Sequence, residues 1–177
     1  DEAFIELSRP EESVAQLAPS REYLFVMRSL TKSFGVPGMR LGFGVTNPLL
    51  AGIMNRAKIP WSIGSIAAAA AEYLLGCEDH LTRSRELIAE ELNYLIPSLK
   101  DLGLDPLPSQ VNFILVNIES AGLGSDVLAE RTMARGVLVR DCQSFGLEKS
   151  YIRVAVRGHE DNERLIDVLE RALRCKD

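Results

Sequence analysis

Over residues 79–102 one pattern dominates: Leu81, Leu87, Ile88, Leu92, Leu95 and Leu99 recur at helical spacing, with charges between them. A helix this long cannot hide its apolar stripe alone and must lay it against other elements. It reads as a connector between two flanks, and Gly103 is a natural stop for it. The flanks differ in texture. Upstream, YLFVMRS from Tyr23 reads as a buried strand. MRLGFGVT from Met39 reads as a second, with Leu41, Phe43 and Val45 alternating against Arg40, Gly42 and Gly44. Asn47 before Pro48 predicts an N-cap and first helical position, opening a helix to about Arg56. An Ala-rich helix follows from Ser62 to near Gly76. Downstream, NFILVNI is a strand, Ser125 caps a helix to about Arg135, and Gly136 ends it. GVLVR and YIRVAVR are further strands, and a last helix starts at Asp161.

That order predicts an α/β protein in parts. Residues 1–78 form a piece of a mainly parallel sheet domain, 79–102 the connecting helix, and 103–177 a small C-terminal α/β domain. The chain opens without Met, at what reads as a strand end, so it is expected to be a piece of a longer protein.

Composition narrows the function classes. Of 177 residues 46% are hydrophobic, enough for a sizeable core. A formal net charge of −5 argues against a general nucleic-acid binder, which needs clustered Lys and Arg. The longest apolar run, residues 63–75, contains Ser65 and Glu72 and falls short of the ~18 residues of a membrane span. No basic-then-apolar leader opens the chain, so a cytoplasmic location is expected. Cys77, Cys142 and Cys175 are widely spaced and odd in number, which suits free thiols in a reducing compartment. His80 and His159 lie far from each other and from any Cys; a metal site is not expected, and both read as surface or helix-end residues.

Chemistry-bearing groups concentrate in SLTKSFGVPGMRLGF, residues 29–43. In extended chain, Ser29 and Thr31 face the same side. Gly35, Pro37 and Gly38 permit a tight turn back into the next strand. Arg40 then returns a guanidinium towards the strand ends, where α/β sheets bind ligands. Two hydroxyls and an arginine make a phosphate cup. Lys32 beside such a cup, desolvated enough to be neutral, can condense with a carbonyl. The spacing is not that of a P-loop. By themselves these residues are more commonly solvated loop charges and turn formers.

The same segment resembles the lysine segment of fold-type I pyridoxal-phosphate enzymes, in the branch with histidinol-phosphate aminotransferases. DEAFIEL, at the start of the chain, resembles that branch's D-E-A-[YF] strand end. The resemblance implies that Asp1 pairs with the protonated pyridine nitrogen, that Lys32 holds pyridoxal 5'-phosphate covalently, and that Ser29, Thr31 and Arg40 hold its phosphate. With IPWSIGSIAAAA and VRDCQSFGLEKSYIRVAVRGHEDNERL added, the chain is most similar to the threonine-phosphate decarboxylases, over residues 1–169. These make aminopropanol phosphate for cobalamin assembly. Phe4 fits that group, because the aminotransferases usually carry Tyr there, its hydroxyl on the cofactor's ring oxygen. The resemblance further implies that Arg153 grips the substrate α-carboxylate and Arg140 its phosphate, jobs that suit the planar fork of a guanidinium. Arg157 belongs either to the site or to the surface, and Asn112 either steadies the pocket or merely starts a strand. Trp61 lines a pocket mouth, a subunit interface or the core.

The implied activity is decarboxylation of L-threonine O-3-phosphate. The alternatives are histidinol-phosphate aminotransferase activity, moving an amino group to 2-oxoglutarate, and an inactive piece that lacks the N-terminal half of the site. A homodimer is implied as well. The two reactions differ in which bond at Cα is held perpendicular to the cofactor plane, a matter of angles that no residue pattern fixes.

Overall fold

The computed structural model describes residues 1–175. Lys176 and Asp177, at the end of the expected C-terminal domain, lie outside the described residues. The chain divides into two compact units, Asp1–Arg85 and the part from Glu86 onward. The boundary falls inside the long helix, between Arg85 and Glu86.

The first unit opens on 3-10 turns at Ile5–Leu7, Pro10–Glu12 and Ala15–Ser20. Then come β1 (Val26–Ser29), the one-turn helix α1 (Leu30–Ser33), a 3-10 turn at Pro37–Met39 and β2 (Gly42–Val45). Helices α2 (Pro48–Ala57) and α3 (Ser65–Leu74) follow, and α4 (Glu78–Asp101) begins in this unit. β1 and β2 are antiparallel, with Ser29 opposite Gly42 and Val26 opposite Val45. Two glycines make the reversal possible. Gly35 has φ +62, and a Cβ on Gly42 would stand 2.7 Å from the Arg28 carbonyl oxygen. Every strand pair among the described residues is antiparallel.

β1 is shorter and less buried than the apolar run at Tyr23 predicts. The Arg21 and Glu22 carbonyls accept from Asn47 Nδ2, and the Leu24 carbonyl accepts from Thr46 Oγ1, so side chains take the place of a ladder there. Val26 is buried, but Tyr23 is 89% exposed. The α2 expectation holds in detail: Asn47 Oδ1 accepts the Leu50 N–H at 2.9 Å, with Pro48 at the first position. α3 starts later than expected, at Ser65 after Gly64. Core packing for Trp61 is overturned: it is 97% exposed, on a backbone with φ 59.

In the second unit, β3 (Asp105–Pro106), β4 (Phe113–Asn117), β5 (Arg140–Asp141) and β6 (Tyr151–Ala155) form one sheet in the order β3-β4-β6-β5. α5 (Ser125–Met133) and α6 (His159–Arg174) complete it. Register sorts the side chains. Ile114 pairs with Val154 and Val116 with Ile152, and all four are at most 1% exposed. The alternate positions carry Phe113, Leu115, Tyr151 and Arg153 on the other face. Of the expected strand GVLVR only Arg140 pairs. Gly136, at φ 80, turns the chain out of α5, and the Val137 N–H closes the helix end on the Thr132 carbonyl.

The unit is fastened by a buried carboxylate. Glu91 on α4 is 3% exposed and accepts from Asn162 Nδ2 at 2.7 Å, with His159 Nδ1 at 3.1 Å. Asn162 also accepts the Arg157 N–H and donates to the Arg157 carbonyl, closing the corner before α6. Asn162→Ala leaves Glu91 short of a partner and is expected to cost about 2–3 kcal/mol in urea unfolding. Arg171→Ala, which breaks an exposed ion pair with Asp167, is expected to cost no more than ~0.5 kcal/mol.

Candidate active site

The residues expected to act together in the first unit fall around α1. Ser29, extended and last in β1, precedes the one-turn helix that carries Thr31 and Lys32. Ser29 Oγ and Thr31 Oγ1 lie 2.8 Å apart. They meet because the chain coils after Ser29, not because both lie along one strand face, as the sequence suggested. Thr31 is buried, while Lys32 between two buried neighbours is exposed. Its ammonium lies 5.7 Å from the Phe4 ring centroid and makes no ion pair among the described residues. An amine without an ion-pair partner, one residue from a pair of hydroxyls, is the set a phosphorylated aldehyde needs: the amine for the carbonyl, the hydroxyls for phosphate oxygens.

Asp1 and Phe4 come alongside because the Glu2 N–H donates to the Met27 carbonyl of β1 at 2.8 Å. Asp1 Oδ1 accepts the Ala3 N–H in a local turn. Arg40 has φ 52 and donates to the Pro37 carbonyl at 3.0 Å, so its guanidinium closes its own turn. The residues around these positions form a second layer that sequence reading missed. Arg28 donates to Glu2, Glu6 and Ser13. Ser33 Oγ donates to Glu6, and His80 Nε2 sits 3.1 Å from the Ser33 carbonyl with its ring stacked on Phe34. His80 is therefore a buttress of the lysine turn, a role for which its spacing gives no signal.

In the second unit Arg140 and Arg153 face each other as Cα partners across β5 and β6. Arg140 lies 5.1 Å from the Phe145 centroid, Arg153 5.5 Å from the same ring and 5.1 Å from that of Phe113. Arg140 donates to Ser144 Oγ; the Arg153 guanidinium makes no hydrogen bond or ion pair among the described residues. Phe145 was not singled out from sequence, though it lies in the quoted segment between the two arginines. Asp141 stays away from Arg140's fork because its carboxylate is taken by the Gln143 N–H and Ser125 Oγ, which hold it below the usual range. Arg157 is an exposed partner of Asp161, and the Asn112 carbonyl accepts the Val156 N–H. Burial pushes the Cys142 thiol up, which makes it a poor nucleophile. No cluster that could hold a metal occurs among the described residues, and no described helix is long and apolar enough to cross a membrane.

The model of "Aminotransferase class I and II" matches residues 1–169. The chain belongs to this aminotransferase family. Among its relatives is "Histidinol-phosphate aminotransferase 1" of Nitrosococcus oceani, 37% identical over 98% of this chain and 46% of the relative. Another, from Caldanaerobacter subterraneus, is named "Putative threonine-phosphate decarboxylase"; it is 34% identical over 96% of this chain and 47% of the relative. The chain thus spans about half the length of the curated relatives it matches. The crystal structure of the histidinol-phosphate aminotransferase from Clostridium acetobutylicum superposes with a TM-score of 0.88 at 26% identity, covering 98% of this chain and 53% of that one. The expected α/β architecture, part of a fold-type I transferase, is therefore the fold of this family member.

Glu2 gives this site a pH dependence. Burial alone would raise its carboxyl, but Ser13 Oγ, the Val14 N–H and the Arg28 guanidinium outweigh burial and hold it below its ordinary 4.5. A depressed carboxyl contributes stability at pH values above its unfolded pKa and loses it as pH falls through the folded one. Wild type is therefore expected to exceed Glu2→Gln in stability at neutral pH, with the gap closing below about 4.5 in acid-titrated denaturation. A gap constant across that range would contradict the assignment.

Proposed function

We propose that the full-length protein is a pyridoxal-phosphate enzyme that decarboxylates L-threonine O-3-phosphate. The observation that carries this reading is the pair Arg140 and Arg153. They are Cα partners on one ladder rung, stacked on Phe145, and neither is in an ion pair with a described carboxylate. Directly opposed residues in an antiparallel pair have Cα atoms about 4.5–5.5 Å apart. Two guanidinium forks so close suit two anionic groups on one small molecule, such as the α-carboxylate and phosphate of threonine phosphate. Histidinol phosphate carries the phosphate but no carboxylate.

When bound, pyridoxal phosphate supplies the electron sink that a carbanion at Cα needs. The chain's own residues do the rest. Asp1 holds a proton at the ring nitrogen, and Ser29, Thr31 and Arg40 orient the phosphate. Arg153 holds the carboxylate that leaves and Arg140 the substrate phosphate, so together they fix the rotation about Cα. Lys32, which would hold the cofactor, would also return a proton to Cα from its ammonium form. Phe4 offers the ring oxygen no hydroxyl.

A second reading, histidinol-phosphate aminotransferase, is favoured by the names of relatives such as the N. oceani protein, and a two-carboxylate amino acceptor would also occupy paired arginines. Product analysis separates the two. The full-length protein is expected to release CO₂ and aminopropanol phosphate from threonine phosphate. Amino transfer to 2-oxoglutarate without CO₂ would replace the first reading by the second. Lys32→Ala is expected to abolish turnover. Arg153→Gln and Arg140→Gln should each lower kcat/KM by roughly 10–150-fold, the worth of one charged hydrogen-bond set.

A further inference from the structure

Between the two groups that a pyridoxal-phosphate site must hold in fixed relation runs an unbroken set of bonds. Asp1 is covalently followed by Glu2, whose Oε2 accepts from Arg28 Nε at 3.1 Å. Arg28 Nη1 donates to Glu6 Oε1 at 2.9 Å, and Glu6 Oε2 accepts from Ser33 Oγ at 3.2 Å. Ser33 follows Lys32 directly. The third corner of the fork, Arg28 Nη2, donates to Ser13 Oγ at 2.6 Å, and Ser13 Oγ in turn donates to Glu2 Oε2. The three ionic side chains are 18%, 12% and 13% exposed, shielded enough for the geometry to be stiff. Outside the ring, Arg85 Nη1 donates to the Glu6 carbonyl and His80 lies against the Ser33 carbonyl, so α4 backs both ends.

We propose that Arg28 is a positioning residue: through Glu2 and Glu6 it sets where the Asp1 carboxylate stands relative to the Lys32 amine. The inference rests on the pyridoxal-phosphate reading above and adds a residue to it. Arg28 touches neither the cofactor nor the substrate in this scheme. Only a planar fork with several donors can bind both glutamates and Ser13 at once; a lysine keeps the charge but not the fork.

The test uses the full-length protein and two readouts besides turnover. One is the dissociation constant of pyridoxal phosphate. The other is the pH midpoint of the visible band that the bound cofactor gives when joined to Lys32, which responds to where the Asp1 charge stands. Variants are Arg28→Lys, Arg28→Met and Glu6→Gln. The control is Thr46→Val, which loosens the β1–β2 region by removing the bond to the Leu24 carbonyl but leaves this bond set intact. Arg28→Met is expected to raise the dissociation constant by tenfold or more and to shift the midpoint by about half a pH unit, with Arg28→Lys restoring little of either. Thr46→Val is expected to leave the midpoint unmoved at a comparable loss of thermal stability. If Arg28→Met does not fold, Arg28→Lys and Glu6→Gln are read by the same criteria. Dissociation constant and midpoint within about twofold and ~0.1 unit of wild type, or equal to the control's at matched stability, overturn the inference. A wild-type protein without any Lys32-dependent band overturns the cofactor reading itself, which is a different result.

Discussion

The first unit depends on how a stretch without regular structure is held to a strand. Residues 1–8 form only a 3-10 turn, and such a turn has little stability of its own. It is fixed by one backbone bond from Glu2 to Met27 and by the fork of Arg28, which reaches two glutamates of the same stretch. The groups of residues 1–8 near Lys32 inherit their position from that attachment. Phe4 lies by the lysine ammonium because Glu2 is pinned, and Ser33 is anchored because Glu6 is. The polar groups are satisfied throughout: among the described residues no buried side-chain nitrogen or oxygen lacks a partner. A network so complete specifies one arrangement, because any other would strand a charge.

The second unit solves the same problem with register. A strand pairing slipped by one residue would send Arg153 into the core and Ile152 or Val154 to the open face. The burial of Ile114, Val116, Ile152 and Val154 therefore fixes Arg153 on the other face as firmly as a direct bond would. Arg140 is then placed by its pairing with Arg153. The apolar core thus determines the spacing of two cations that it does not touch.

The helices and strands were largely legible because their periodicities are strong. The Asn47–Pro48 start and the stripe at Leu92, Leu95 and Leu99 needed nothing beyond local chemistry. The strand at Tyr23 was overextended, since a run of apolar residues does not reveal that Thr46 will take the Leu24 carbonyl and Asn47 the two carbonyls just before the run. Burial was misjudged there, and the core reading of Trp61 failed, for a related reason: apolar character shows what could be covered, not what covers it. In the candidate site, Lys32, Ser29 and Thr31 were legible as a cluster within one turn. The Arg28, Glu2 and Glu6 set was not, since its members are separated by up to 26 residues and each looks like an ordinary surface charge. Phe145 was overlooked because an aromatic residue in a loop carries no signal until the register of β5 and β6 brings two arginines over it.

Arginines in this chain sort by what holds them. Arg28 is held by carboxylates, and its charge is already answered; a further anion would compete with Glu2 and Glu6 for the same donors. Arg140 and Arg153 are held mainly by the faces of Phe145 and Phe113. Stacking on a ring uses the guanidinium's face and leaves its N–H edge for an in-plane acceptor. It also fixes the fork beforehand, so less rotamer freedom is lost when an anion arrives. Two cations brought together by strand pairing repel each other, a repulsion that the Asp141 carboxylate next to Arg140 eases only in part because it is bonded elsewhere. A ligand with two negative groups relieves it. Under the proposed function, the same pairing favours a doubly anionic substrate.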